Sequence, residues 1–318
     1  MINKNKKILF WGTPAAAAGC LKYLLTKNKN VVGVITKPDK PTGRKHVLTK
    51  PPVKIVAEEA GIPVLQPETL KTPEIIEKIK NWNPEICVVV AYGKIFSQKI
   101  LDISDDFINL HFSLLPEYRG AAPVQKAIID GKKETGVTVQ FMVKKLDKGD
   151  IILQGKMIID EEDTTETLLE KAVKIGAPLL VKTIELIEQN KAPRTPQMDA
   201  NATYARKIKK ENGYIDWSRS AKEIHNQIRG CYPWPTAITL FNDKPFKILR
   251  SRVIDEKSSD SSPGAISATK KQLFVSTGKG VLELLEIQPQ GKKRMSVQAF
   301  LAGHNLVGVH SFSVNITE

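Results

Sequence analysis

Asn109 and His111 stand two residues apart in the run Phe107-Ile-Asn-Leu-His111. On a strand, that spacing turns both side chains to one face. Pro116 and Gly120 close the run, which sets the pair near the C-terminal end of a strand, where open α/β sheets bind ligands. A neutral imidazole beside a carboxamide can take up a proton and donate a hydrogen bond to a developing oxyanion. By themselves, two such residues form an interior hydrogen-bonded pair more often than a catalytic one. Asp147, in Leu146-Asp-Lys-Gly-Asp-Ile151, is the second source of chemistry, although a carboxylate before a Lys-Gly turn reads locally as a turn residue. Gly12-Thr13-Pro14 follows an apolar run and could receive an anion at a helix N-terminus, but it lacks the Gly-x-Gly-x-x-Gly spacing of a nucleotide loop.

The elements that must position these residues follow from periodicity. Short apolar runs alternate with amphipathic stretches through the first half of the chain, the pattern of βαβ units. The run Ile86-Cys-Val-Val-Val-Ala91 has no polar face, so it belongs in a central parallel strand covered on both sides. Asp163-x-x-Glu166 reads as a capping box opening a long helix with an apolar stripe from Leu168 to Ile187. Ser220-x-x-Glu223 caps a shorter one, on which Ala221, Ile224 and Ile228 face one way and Lys222, Asn226 and Arg229 the other. Short strands then follow, at 237–241, 246–254, 273–276 and 281–287, as in a small β-barrel. The expected fold is α/β: a Rossmann-like, mostly parallel sheet over residues 1–189, a linker over 190–210, and an OB-like barrel over 211–318.

The 318 residues are 41% hydrophobic and 26% charged, an ordinary globular composition that excludes fibrous and disordered classes. Cys20, Cys87 and Cys231 form no Cys-x-x-Cys pair, which argues against a disulfide framework and a zinc cluster and fits a reducing, cytoplasmic compartment. The apolar run Ile8–Trp11 near the start is too short for a signal-peptide core, and no run reaches the length of a membrane span. The net charge is +14, and half of that excess falls in the last third of the chain, from Lys207 on. Such a balance suits a polyanionic partner such as nucleic acid, and equally a lysine-rich proteome.

Taken together, Asn109-x-His111-x-Ser113-Leu-Leu-Pro116, Arg119-Gly-Ala-Ala-Pro123 and Leu146-Asp147-x-Gly149-Asp150 resemble the signature of the methionyl-tRNA formyltransferase family. Gly12-Thr-Pro14, the loop Lys37–Arg44, Ile215-Asp-Trp-Ser218 and Pro233-Trp-Pro235 resemble family segments in the same order, so the likeness covers nearly the whole chain. The resemblance implies transfer of a formyl group from 10-formyltetrahydrofolate to the α-amino group of methionyl initiator tRNA. It implies a catalytic trio of Asn109, His111 and Asp147, a folate-binding segment Ser113, Leu114, Leu115 and Pro116, and no metal. The chemistry agrees: an amine attacking a formyl carbonyl generates an oxyanion and an ammonium, which call for a donor, a proton acceptor and a group that orients it. For the charged initiator tRNA the expected contacts are Arg44 and Lys45 in the Pro- and Gly-rich loop, and Arg206, Lys207, Lys209 and Lys210 in the linker. Lys222, Arg229, Lys292, Lys293 and Arg294 extend that basic surface. Phe112 stands where a small residue is usual, and His46 and Val47 where lysines are common. A monomer free of membrane is expected. Two other readings share parts of the pattern: a folate-dependent formyltransferase acting on a small amine such as glycinamide ribonucleotide or an amino sugar nucleotide, and a catalytically inactive nucleic-acid-binding protein.

Overall fold

A computed structural model describes residues 5–42, 47–257, 261–304, 306 and 310–313. The chain divides into two compact units, one made of Met1–Pro123, Glu134–Ile158 and Leu169–Ala205, the other of Val124–Lys133, Ile159–Leu168 and Arg206–Glu318.

The first unit is built on a sheet of β1 (Ile8–Gly12), β2 (Val31–Ile35), β3 (Val64–Leu65), β4 (Ile86–Val90), β5 (Asp106–His111), β6 (Glu134–Phe141) and β7 (Ile151–Ile158), in the order β7-β6-β5-β4-β1-β2-β3. The pairs from β5 to β3 are parallel, and β6 and β7 are added antiparallel at one end. β1 and β4 are buried along their whole length, as runs without a polar face require. β7 is an edge strand, in which Gln154, Lys156 and Ile158 keep exposed surface in alternation. One face carries an aromatic cluster in which Trp11 packs edge-on against Tyr92 and Phe96. Register puts Trp11 beside Val89, Val89 beside Asn109 and Asn109 beside Gln140, so a row that begins in the aromatic core ends in polar side chains. The helix Thr165–Glu188 can lie close to β5 because Gly176 has no side chain: a Cβ there would stand 2.8 Å from Leu110.

Its cap differs from the expected Asp163/Glu166 box. Thr164 and Thr167 cap each other reciprocally, each hydroxyl accepting the other's backbone N–H, while Asp163 accepts from Asp160 N–H instead. The helix therefore starts one residue later than the acidic pattern suggests.

The second unit is an antiparallel sheet of β8 (Ala237–Phe241), β9 (Lys244–Asp255), β10 (Ala265–Ala268), β11 (Leu273–Ser276), β12 (Val281–Pro289) and β13 (His310–Ser311), in the order β8-β9-β12-β11-β10-β13. Leu240 of β8 bridges Ser313, just past β13, so the sheet closes on itself as a barrel does. Inside it Trp217 stacks on Phe312 and donates its indole N–H to Thr239. The helix Ala221–Gly230 has the expected Ser220/Glu223 capping box. Its expected polar face is largely interior, however: Asn226 and Arg229 are 4% and 7% exposed, and Lys222, which keeps accessible surface, pairs with Glu161 at 3.4 Å. Arg229 donates to the carbonyls of Asp160 and Asp163 and to the Asn226 side chain, so it is removed from the basic surface assigned to it by periodicity. The strands Ala265–Ala268 and His310–Ser311 and the helix Val297–Ala302 are additions that the hydrophobic pattern does not announce.

Candidate active site

His111 ends β5, Asn109 precedes it by two residues, and both face the side on which β6 presents Gln140 and Thr138. His111 is buried and Asn109 half-buried. The imidazole Nε2 lies 2.9 Å from the Tyr118 carbonyl. A carbonyl can only accept, so the neutral ring carries its proton on Nε2 and leaves the lone pair on Nδ1. Nδ1 stands 3.7 Å from Asp147 Oδ2, beyond direct hydrogen-bond distance.

Asp147 sits in a turn with φ of 48°, in the left-handed region that Asp tolerates better than most residues. Two donors fix its carboxylate. Gly120 N–H gives Oδ2 a bond of 2.8 Å, and Gln140 Nε2 gives Oδ1 one of 3.2 Å. Both turns demand glycine. A Cβ on Gly149 would fall 1.6 Å from the Phe141 carbonyl, and Gly120, at φ of 125°, would place one 2.5 Å from the Ala205 carbonyl.

The segment Ser113–Pro116 is locked from beneath. Thr138 Oγ1 donates to the Ser113 carbonyl and accepts from Leu115 N–H, and Gln154 Nε2 donates to the Leu115 carbonyl and to Thr138. Ser113 and Leu115 are themselves buried, the former donating to the Glu117 carbonyl, so Leu114 and Pro116 are the members that keep accessible surface. Phe112 is 7% exposed and belongs to the packed interior.

Sequence reasoning missed Gln140, Thr138, Gln154 and Gln197. For Thr138 and Gln140 a signal existed: they are polar residues two apart inside an apolar strand, the same pattern that drew attention to Asn109 and His111. Gln197 lies within the stretch read as linker, yet residues 195–205 are stitched to the site loops. Thr195 pairs with Ile151, Thr203 holds Tyr118 N–H, and Tyr204 and Ala205 pair in register with Arg119 and Gly120.

Of the expected tRNA contacts, Arg206, Lys207, Lys209 and Lys210 are exposed, as are Lys292 and Lys293, whereas Arg294 is engaged by Glu286 at 2.8 Å. Arg44 and Lys45, with His46, lie outside the described residues; the flanking strands Lys40–Thr42 and Val47–Thr49 pair antiparallel. Burial pushes the thiols of Cys20, Cys87 and Cys231 up to about 12, so none is a ready nucleophile. Among the described residues no group of three or more His, Cys, Asp or Glu could hold a metal ion, and no helix is long and apolar enough to cross a membrane.

A family model described as formyl transferase matches residues 6–184, and one described as formyl transferase, C-terminal domain, matches residues 207–305. The methionyl-tRNA formyltransferase of Thermodesulfovibrio yellowstonii is 44% identical over 308 residues, 96% of this chain and 99% of that protein. That of Staphylococcus epidermidis is also 44% identical, over 95% of this chain and 98% of that one. Among solved structures, a sugar 3N-formyl transferase crystallised in the presence of dTDP and 5-N-formyl-THF superposes with a TM-score of 0.66 at 24% identity, over 91% of this chain and 99% of that chain. HypX from Aquifex aeolicus in complex with tetrahydrofolic acid gives 0.66 at 14%, over 98% of this chain and 51% of that one. Those two likenesses establish the fold alone. The full-length identity establishes more: this chain belongs to the methionyl-tRNA formyltransferase family.

Proposed function

We propose that this chain transfers the formyl group of 10-formyltetrahydrofolate to the α-amino group of methionyl initiator tRNA, giving N-formylmethionyl-tRNA for translation initiation. The observation that carries the reading is identity of 44% to a protein named methionyl-tRNA formyltransferase over 96% of this chain, a span that takes in the basic second unit as well as the sheet. A small-amine acceptor gives that unit's exposed lysines nothing to do. The folate donor is supported by two structural neighbours solved with folates, and by a Ser113–Pro116 loop whose backbone is pinned by Thr138 and Gln154 while Leu114 and Pro116 keep apolar surface accessible.

The folate supplies a formyl carbonyl open to attack by an amine. Asn109 offers a carboxamide N–H donor for the carbonyl oxygen as negative charge gathers on it. His111 accepts the proton shed by the amine on Nδ1, since Tyr118 holds the other nitrogen as a donor, and gives it to the folate nitrogen as the bond from that nitrogen to the formyl carbon breaks and tetrahydrofolate leaves. Asp147, 3.7 Å from that nitrogen and itself held by Gly120 and Gln140, stabilises the imidazolium. Arg206, Lys207, Lys209 and Lys210, with Arg44 and Lys45, supply positive charge for the phosphates of the acceptor.

Formyl transfer from 10-formyltetrahydrofolate, measured side by side on charged initiator tRNA, glycinamide ribonucleotide and an amino sugar nucleotide, tests the reading. Rapid turnover is expected with the tRNA alone; faster turnover with either small amine overturns the assigned acceptor.

A further inference from the structure

Arg119 is 2% exposed, and a guanidinium has five N–H donors and no acceptor. Its Nε and Nη2 both donate to Gln197 Oε1, at 3.1 and 2.9 Å, while Nη1 donates to Asp199. With its oxygen claimed, Gln197 can present only Nε2 to the other side. There the two amide hydrogens are divided among three acceptors, one of them shared: the backbone carbonyls of Asp147 and Gly149, at 2.9 and 2.8 Å, and Gln140 Oε1, at 3.1 Å. Gln140, 2% exposed, has its own oxygen claimed in turn and must offer Nε2, which donates to Asp147 Oδ1. A side-chain amide can turn over by half a rotation, exchanging donor for acceptor at almost no steric cost, and only its partners decide which end faces where. Here every choice is forced by the one residue in the chain of bonds that cannot accept.

We infer that Arg119, Gln197, Gln140 and Asp147 form a hydrogen-bond relay of fixed polarity, in which Gln197 and Gln140 are positioning residues that hold the Asp147 carboxylate and its turn in place for His111. The inference rests on the proposed role of Asp147. Gln197→Glu reverses the relay with little change of shape. A carboxylate at 197 still accepts from Arg119, but it cannot donate to the carbonyls of Asp147 and Gly149, and it draws Gln140 Nε2 toward itself. Gln140 then turns its oxygen to Asp147, and a donor to the carboxylate becomes a repulsive acceptor.

The test is steady-state formyl transfer to charged initiator tRNA by Gln197→Glu, in the native background and in Asp147→Ala. In the native background kcat is expected to fall roughly 10- to 100-fold, the worth of a hydrogen bond to a charged group, with KM for the folate and for the tRNA within about threefold. In the Asp147→Ala background the same substitution has no carboxylate to misplace, and the further loss is expected to stay below about threefold. A purely structural role for Gln197 gives equal losses in both backgrounds, and that result overturns the relay, as does a Gln197→Glu enzyme with native kcat. If the thermal transition of Gln197→Glu is lost, Gln197→Met, neutral and of similar length but without a donor, carries the same comparison. A failure of the underlying reading is distinguishable, because it shows as native turnover by Asp147→Ala itself.

Discussion

At the scale of single residues the site depends on groups that can bond in only one sense. The Tyr118 carbonyl accepts from His111 Nε2, and that single contact decides which nitrogen is free to receive a proton. His111→Ala is therefore expected to lower formyl transfer by roughly 10²–10⁴, the usual worth of a positioned acid–base group, with folate binding, followed by fluorescence titration, little changed. Near-native turnover by this variant contradicts the role. Asn109 and His111 were legible because a spacing of two on a strand has one geometric meaning. Asp147 was legible only through resemblance, since its local pattern is that of an ordinary turn, and what makes it more is Gly120 N–H arriving from a loop 27 residues earlier. Gln197 left no signal: a glutamine after a proline in a polar stretch has no periodicity that points inward.

Elements were legible where burial on one face imposes a period, and less so where polar residues are buried for bonding. The helix Ala221–Gly230 illustrates the difference, with its apolar stripe as expected and Asn226 and Arg229 buried on the opposite side. Burial lowers the Arg229 pKa below that of a free guanidinium, yet the group is compensated by the carbonyls of Asp160 and Asp163, which accept from its Nη1. Arg229→Met is expected to destabilise the fold by roughly 2–4 kcal/mol, from loss of the buried bonds to the Asp163 carbonyl and to Asn226 and of the network they belong to, read as a lower denaturant midpoint at unchanged slope. The salt dependence of tRNA binding should be as in the native protein. A variant of native stability that binds tRNA more weakly would return Arg229 to the basic surface. The late strands Ala265–Ala268 and His310–Ser311 were not legible because they are short and their partners are fixed by barrel closure rather than by local pattern.

Over the whole molecule, two charge effects are set by burial and by exposure respectively. His225 is 4% exposed and its pKa is lowered to about 4, first by burial and then by the charge of Arg229, with Lys222 adding to the shift and the Glu161 carbonyl and Glu162 opposing it. The unfolded chain takes up this proton near pH 6.5, so between the two values it binds more protons than the folded one. Stability from this residue is complete above about pH 6.5 and declines as pH falls toward 4, by at most roughly 3 kcal/mol. Thermal unfolding of His225→Gln should accordingly depend less on pH across that window, and an unaltered slope would place the acid sensitivity elsewhere. The exposed charges act on the partner instead. Half the net charge of +14 lies from Lys207 on, and Lys207, Lys209 and Lys210 are exposed and adjacent, while Arg229 and Arg294 are already engaged within the fold. Lysines free in this way bind a phosphate backbone by releasing counterions, so log affinity for tRNA falls with log salt by about 0.7–0.9 per phosphate met. Substituting the three with Gln should flatten that slope by roughly 2–3 and raise KM for tRNA, leaving KM for the folate, whose proposed site is on the first unit, unchanged. Charge neutralisation in the full chain is the right form of the experiment. Deleting the chain from Lys207 would also strip Val124–Lys133 and Ile159–Leu168 of the unit to which they belong, and Asp160 and Asp163 of Arg229. An unchanged salt slope in the triple variant would mean that these lysines are merely solvated, and the acceptor's phosphates would have to meet the loop that carries Arg44 and Lys45.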